Sequence, residues 1–100
     1  IIIGIKAGDF IGYGELVAGS KPMFSYETIN TSLYIYKEYF IPLLLGKDAD
    51  PQRFYTETSW IRGYPMAKAS FEMALWDLYS KIQGKPLYKV IGGVKHKVEV

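Results

Sequence analysis

Apolar residues alternate with small or polar ones at the start of the chain. Ile1, Ile3 and Ile5 share one face at period two, while Gly4 and Lys6 take the other. The β-rich pattern resumes in Phe10–Ala18, and Gly8-Asp9 lies between the two runs. Two strands, Ile1–Ala7 and Phe10–Ala18, joined by a tight hairpin turn are predicted. Gly12 and Gly14 flank Tyr13 and mark a bend or a close backbone approach in the second strand. A hairpin alone is marginal, so a third strand upstream of Ile1 is its natural partner.

After Gly19-Ser20-Lys21-Pro22 the spacing changes to three and four. Tyr26, Ile29, Leu33, Tyr36, Phe40 and Leu43 form one apolar helical stripe, with Ser25 as N-cap and Glu27 in the first turn. Pro42 predicts a kink or an end near Ile41. Asp50-Pro51 is a helix start; that helix runs to about Ile61, buries Phe54, Thr58 and Ile61, and has Gly63 as left-handed cap. Pro65 opens a third helix over Met66–Ile82, apolar around most of its circumference and therefore largely buried. Gly84 ends it. Pro86 starts a short turn or helix to Ile91, Gly92-Gly93 breaks again, and Lys97–Val100 alternates like the start of a new strand. Hairpin first and helices after define an α+β fold, an antiparallel β-hairpin followed by a helical bundle, not a βαβ repeat.

Composition narrows the class. With 100 residues, 49% of them hydrophobic and 16% aromatic, the chain can bury the core of one soluble domain and is not disordered. The longest apolar runs, Ile1–Ile3 and Phe40–Leu45, fall far below the roughly 20 residues of a membrane span. Twelve Lys/Arg against ten Asp/Glu leave a net charge of +2, too mild for a nucleic-acid binder. The lack of cysteine excludes disulfides and thiolate metal sites and fits a reducing, cytoplasmic compartment. Opening at Ile1 inside an apolar run and closing inside an alternating segment, the sequence reads as an excerpt cut from a longer polypeptide at both ends.

Candidate chemistry is sparse. Gly12-Tyr13-Gly14 lacks the third glycine of a phosphate loop and opens no helix. His96, the single histidine, lies between Lys95 and Lys97; it reads as a solvated loop residue, with metal ligand or general base as the alternatives. Asp48 and Asp50 could touch a cation, but Asp50 is better explained as a helix cap. Glu72 and Asp77, five apart on the third helix, point in different directions; such groups bond backbone, a cap or a cation, and Asp77 with Lys81 makes a favourable i,i+4 pair. The nine tyrosines suggest stacking on bases or sugars, but at helical spacing they are mainly core and boundary residues. Taken alone, the residues reach a soluble α+β domain with no visible catalytic apparatus and no metal site.

Larger patterns add to this. Ala67–Gly93 (AKASFEMALWDLYSKIQGKPLYKVIGG) combines an alanine-rich helix, Glu then Asp five on, Lys-x-x-Gly-x-Pro-Leu and Gly-Gly. It resembles the end of the enolase-superfamily capping domain. Upstream, GYGE, AGSKPMFSYET and GYPMAKA resemble the branch that contains o-succinylbenzoate synthases and N-acylamino acid racemases. Phe71, Ser80 and Val90 depart from the broader pattern and weaken any choice of substrate. The resemblance implies that residues 1–93 are a capping domain, a three-stranded meander plus helices, and that residues 94–100 begin the first strand of a (β/α)₈ barrel. It also implies that the barrel carries three acidic ligands for Mg²⁺ and two lysines, which move the proton alpha to the carboxylate of a small substrate. No catalytic residue would then lie in this chain, whose partners are its own barrel and further copies of the parent; Lys95-His96-Lys97 is not the catalytic lysine motif. The resemblance further implies a lid loop at Gly19–Phe24, with Gly19 and Phe24 lining the substrate pocket. Muconate cycloisomerase or dipeptide epimerase capping domains are the nearer alternatives. A free-standing binding module using tyrosines and a basic surface is the more distant one.

Overall fold

A computed structural model describes residues 1–95 and 97–100. Strands β1 (Ile2–Ala7) and β2 (Phe10–Glu15) pair antiparallel, with Ala7 opposite Phe10 and Ile2 opposite Glu15. Gly8 opens the two-residue turn at φ +58°, a conformation that glycine adopts without a Cβ penalty. The second strand is shorter than its sequence pattern, because Leu16–Ala18 extends past the ladder; Leu16 N–H still donates to the Ile1 carbonyl at 2.8 Å.

Helices follow in the order α1 (Ile29–Ile35), α2 (Ile41–Leu44), α3 (Pro51–Thr58), α4 (Pro65–Gln83) and α5 (Leu87–Val90). The long α4 lies across the inner face of the hairpin. Ala67, Ser70 and Ala74 are fully buried there, and their small side chains let the backbones meet. A Cβ at Gly12 would overlap the Ala74 carbonyl oxygen, and one at Gly14 would overlap that of Ser70. The close approach expected at these glycines is therefore made to the backbone of α4. Phe40, Phe54 and Phe71 form the aromatic centre of the core; the Phe40 ring lies 5.0 Å from Phe54 and 5.1 Å from Phe71. Tyr36 packs on Phe71 and its hydroxyl shares a 2.6 Å hydrogen bond with Ser70 Oγ, so a buried polar tip is satisfied.

Several boundaries depart from the sequence pattern. Thr28, not Ser25, is the N-cap of α1. Its hydroxyl accepts from Thr31 N–H while Thr31 Oγ1 accepts from Thr28 N–H, a reciprocal box that fixes the start three residues later. Tyr26 thus falls outside the helix and is exposed, while Ser32 and Ile35 join Tyr36 and Phe40 in the core. The shift comes from a π-helical turn over Tyr36–Phe40, closed by Ile41 N–H donating to the Tyr36 carbonyl. This wider turn sits just ahead of Pro42, which lacks the N–H that an uninterrupted α-helix would use. Ile29, Leu33 and Leu43 are left half-buried.

Asp50 caps α3 as expected, and Phe54, Thr58 and Ile61 are buried, but the helix stops at Thr58. Gly63, at φ +76°, belongs to the turn before α4 and is not a cap for α3. Gly84 ends α4 in the left-handed conformation, as its position suggested. Residues 97–100 form no strand; a strand needs a neighbour to pair with. Among the described residues, no helix is long and apolar enough to cross a membrane.

Candidate functional site

The segment from Gly19 to Thr28 leaves the buried Ala18 and returns to α1 as a loop with a closed base. Ile29 N–H donates to the Gly19 carbonyl at 2.9 Å. At its tip Met23 is 87% and Phe24 95% exposed. Gly19 does not take a positive φ, and a Cβ placed on it would meet nothing within 4 Å. Gly19 thus stands at the base of the loop beside open space, and Phe24 projects from its tip.

The far side of the loop is anchored on the start of α4. Ser25 Oγ accepts from Glu27 N–H at 3.2 Å. The Glu27 carboxylate, only 2% exposed, accepts from Met66 N–H and Ala67 N–H at 2.9 Å each. Its charge is thus placed against the positive end of the helix macrodipole and bonded to two otherwise orphaned donors. Tyr26 turns back the same way: its hydroxyl accepts from Tyr64 N–H and its ring meets the Tyr64 ring edge-on at 5.4 Å. Gly63 makes room for that hydroxyl, which a Cβ would overlap.

Sequence patterning assigned Glu27 to the first turn of α1 and Tyr26 to its apolar stripe, but both precede the Thr28 cap and turn to α4 instead. A signal was present: α4 opens at Tyr64-Pro65, and Tyr64, at φ 56°, supplies no side-chain cap. A long helix without a local cap needs its donors satisfied from elsewhere in the chain.

The remaining candidates have structural work. The Asp77 carboxylate accepts from Tyr13 N–H at 2.8 Å and from Lys81 at 2.9 Å, while Lys81 also donates to the Ile11 carbonyl at 2.8 Å. Partial burial pushes the Asp77 carboxyl up, but the hydrogen bonds from Lys81 and Tyr13, with the Lys81 charge, outweigh this and hold it below the usual aspartate value. Burial raises the Glu72 carboxyl above its usual value, with Lys68 opposing. The two acids do not form a pair. Asp50 Oδ1 accepts from Gln52 N–H and Arg53 N–H at 3.0 and 3.1 Å, which is a cap and not a cation site. His96 lies outside the described residues. Among the described residues no three imidazole or carboxylate groups converge, so these residues do not fit a Mg²⁺ ion.

The domain thus combines a hairpin laid on one long helix with a loop that is fixed at its base and exposed at an apolar tip. Residues 1–92 match the family model described as mandelate racemase / muconate lactonizing enzyme, N-terminal domain, and the chain belongs to that family. It is 42% identical over 90 residues to an N-succinylamino acid racemase of Thermus thermophilus, spanning 89% of this chain and 24% of that protein. With the o-succinylbenzoate synthase of Bacillus subtilis it shares 36% identity over 99 residues, 98% of this chain and 27% of that one. The fold superposes on a crystal structure of an enolase-superfamily member from Listeria innocua with a TM-score of 0.89 and 38% identity, covering 99% of this chain and 27% of the other. The chain spans about a quarter of the length of the curated relatives it matches.

Proposed function

We propose that this chain is the capping and specificity domain of a Mg²⁺-dependent enzyme of the o-succinylbenzoate synthase / N-acylamino acid racemase kind. Residues 1–93 cover the mouth of a (β/α)₈ barrel whose first strand begins within 94–100. The barrel holds the metal and removes the proton alpha to the substrate carboxylate. This domain closes the pocket with Gly19 and Phe24. The observation that carries the reading is the loop itself: a fixed base, open space at Gly19, and an aromatic tip 95% exposed. An exposed phenylalanine on an anchored loop has the character of a wall awaiting its other half. The similarity to a racemase and a synthase supports the reaction class, and the lack of cysteine suits a cytoplasmic enzyme.

The test is substrate discrimination in the enzyme that carries this domain. Gly19→Met fills the space beside the loop base and should shift the ratio of kcat/KM between bulky and small acyl substrates. A methylene-scale change in an apolar pocket is worth about 1–3 kcal/mol, roughly 10–200-fold. An equal loss for every substrate would make Gly19 structural and remove it from the pocket.

A further inference from the structure

Tyr26 and Glu27 stand between the exposed loop tip and α1, yet both spend their side chains on the start of α4, nearly 40 residues further along the chain. We infer that Tyr26 and Glu27, held by Gly63–Ala67, form a clasp that fixes the C-terminal root of the lid loop, and so act as positioning residues for Phe24. The inference deepens the proposed function and rests on the lid reading given there.

The geometry separates this role from ordinary core packing. Glu27 is buried to 2% exposure, and its carboxylate accepts from the two backbone N–H groups at the helix start; among the described residues no lysine or arginine bonds it. Burying a carboxylate is costly unless it is fully bonded, so Glu27 has one low-energy position, defined by α4. Tyr26 adds a second tether at Tyr64 from the next residue in the chain. Two adjacent residues pinned to one rigid helix leave the backbone between them little freedom. Phe24 lies only two residues before the pair.

On the other side the loop is closed by a backbone hydrogen bond, Ile29 N–H to the Gly19 carbonyl at 2.9 Å. The clasp and this bond together make the loop a rigid-based flap with a short tip. The loop stands on the element most deeply embedded in the domain: Ala67, Ser70, Ala74, Leu75 and Leu78, all on α4, are fully buried. A specificity residue held this way is pre-organised, so less binding free energy is lost to ordering it when substrate arrives.

The experiment compares Glu27→Gln and Tyr26→Phe with the unaltered protein. Glu27→Gln keeps the shape but replaces a charged acceptor by an amide; Tyr26→Phe keeps the ring contact and removes the acceptor for Tyr64 N–H. Hydrogen exchange at the Ile29 amide reads opening of the loop base, and exchange at the Leu75 amide reads global unfolding. Both variants should speed Ile29 exchange by about tenfold, as expected for one lost hydrogen bond to a buried anchor, with Leu75 unchanged. In the enzyme that carries this domain, the same variants should raise KM for bulky acyl substrates more than they lower kcat. Unchanged Ile29 exchange would overturn the clasp, as would equal acceleration at Ile29 and Leu75, which would make the contacts part of the global fold. Faster Ile29 exchange with an unaltered substrate ratio would also overturn it as a positioning device. Phe24→Ala then separates the causes: if it too leaves the ratio unaltered, the lid reading has failed; if it shifts the ratio, only the clasp has.

Discussion

Glycine serves opposite purposes at Gly14 and Gly19. At Gly14 the missing Cβ is the condition for contact, because a backbone oxygen of α4 occupies its place and a carbonyl in a helix cannot rotate away. At Gly19 nothing occupies that space and φ is not positive, so neither sterics nor backbone conformation demands glycine. Gly14→Ala should therefore lower stability by about 1–3 kcal/mol through overpacking. Gly19→Ala should leave it within about 0.5 kcal/mol. Urea unfolding midpoints of the two variants make the comparison. A comparable loss at Gly19 would mean that the loop base is tightly packed, against the space assigned to substrate. The sequence distinguished Gly12 and Gly14 because each interrupts an alternating strand. Local patterning marked Gly19 only as a loop residue, since open space leaves no trace in a local pattern; a pocket position for it was implied by the family resemblance alone.

At the scale of elements, the start of α1 shows what local reading can and cannot recover. Ser25 and Thr28 are both competent N-caps by residue type. The choice between them is made by Thr31, which completes the reciprocal box on Thr28, and by Glu27, whose buried carboxylate is committed to α4 and cannot also sit in a first turn. The first of these facts was available to sequence reasoning; the second is a tertiary contact across 39 residues and was not. Asp50 and Gly84, whose roles depend on neighbours within one helical turn, were legible for the same reason. Thr28→Ala should cost about 1 kcal/mol, with Ser25→Ala costing only a few tenths. Thermal melts of the two variants will decide it, and the reverse order would restore the helix start to Ser25.

At the scale of the whole chain, the sheet formed by the described residues has one protected edge and one open edge. Ile1 and Leu16 exchange hydrogen bonds in both directions, at 2.8 and 3.2 Å, so the alternation of the ladder turns the backbone groups of Ile11 and Tyr13 away from β1. Those of β2 are met by α4: Tyr13 N–H by Asp77 and the Ile11 carbonyl by Lys81. On β1 the same alternation points Ile2, Gly4 and Lys6 outward, beside a groove of about 600 Å³ lined by Ile3, Ile5, Ile41, Leu44 and Leu75. An unpaired edge next to apolar side chains is a template for another strand. The 100-residue chain should therefore associate reversibly as its concentration rises, through β1 and not β2. Gly4→Pro removes one outward N–H at an edge position where proline is tolerated, and it should weaken association while the near-ultraviolet circular dichroism of the aromatic core is retained. Lys81→Met, which uncovers the Ile11 carbonyl on the opposite edge, should leave association through β1 intact. Sedimentation velocity over a wide concentration range gives the answer. A monomer at every concentration, or undiminished association of a folded Gly4→Pro variant, would show that the β1 edge is not the adhesive surface.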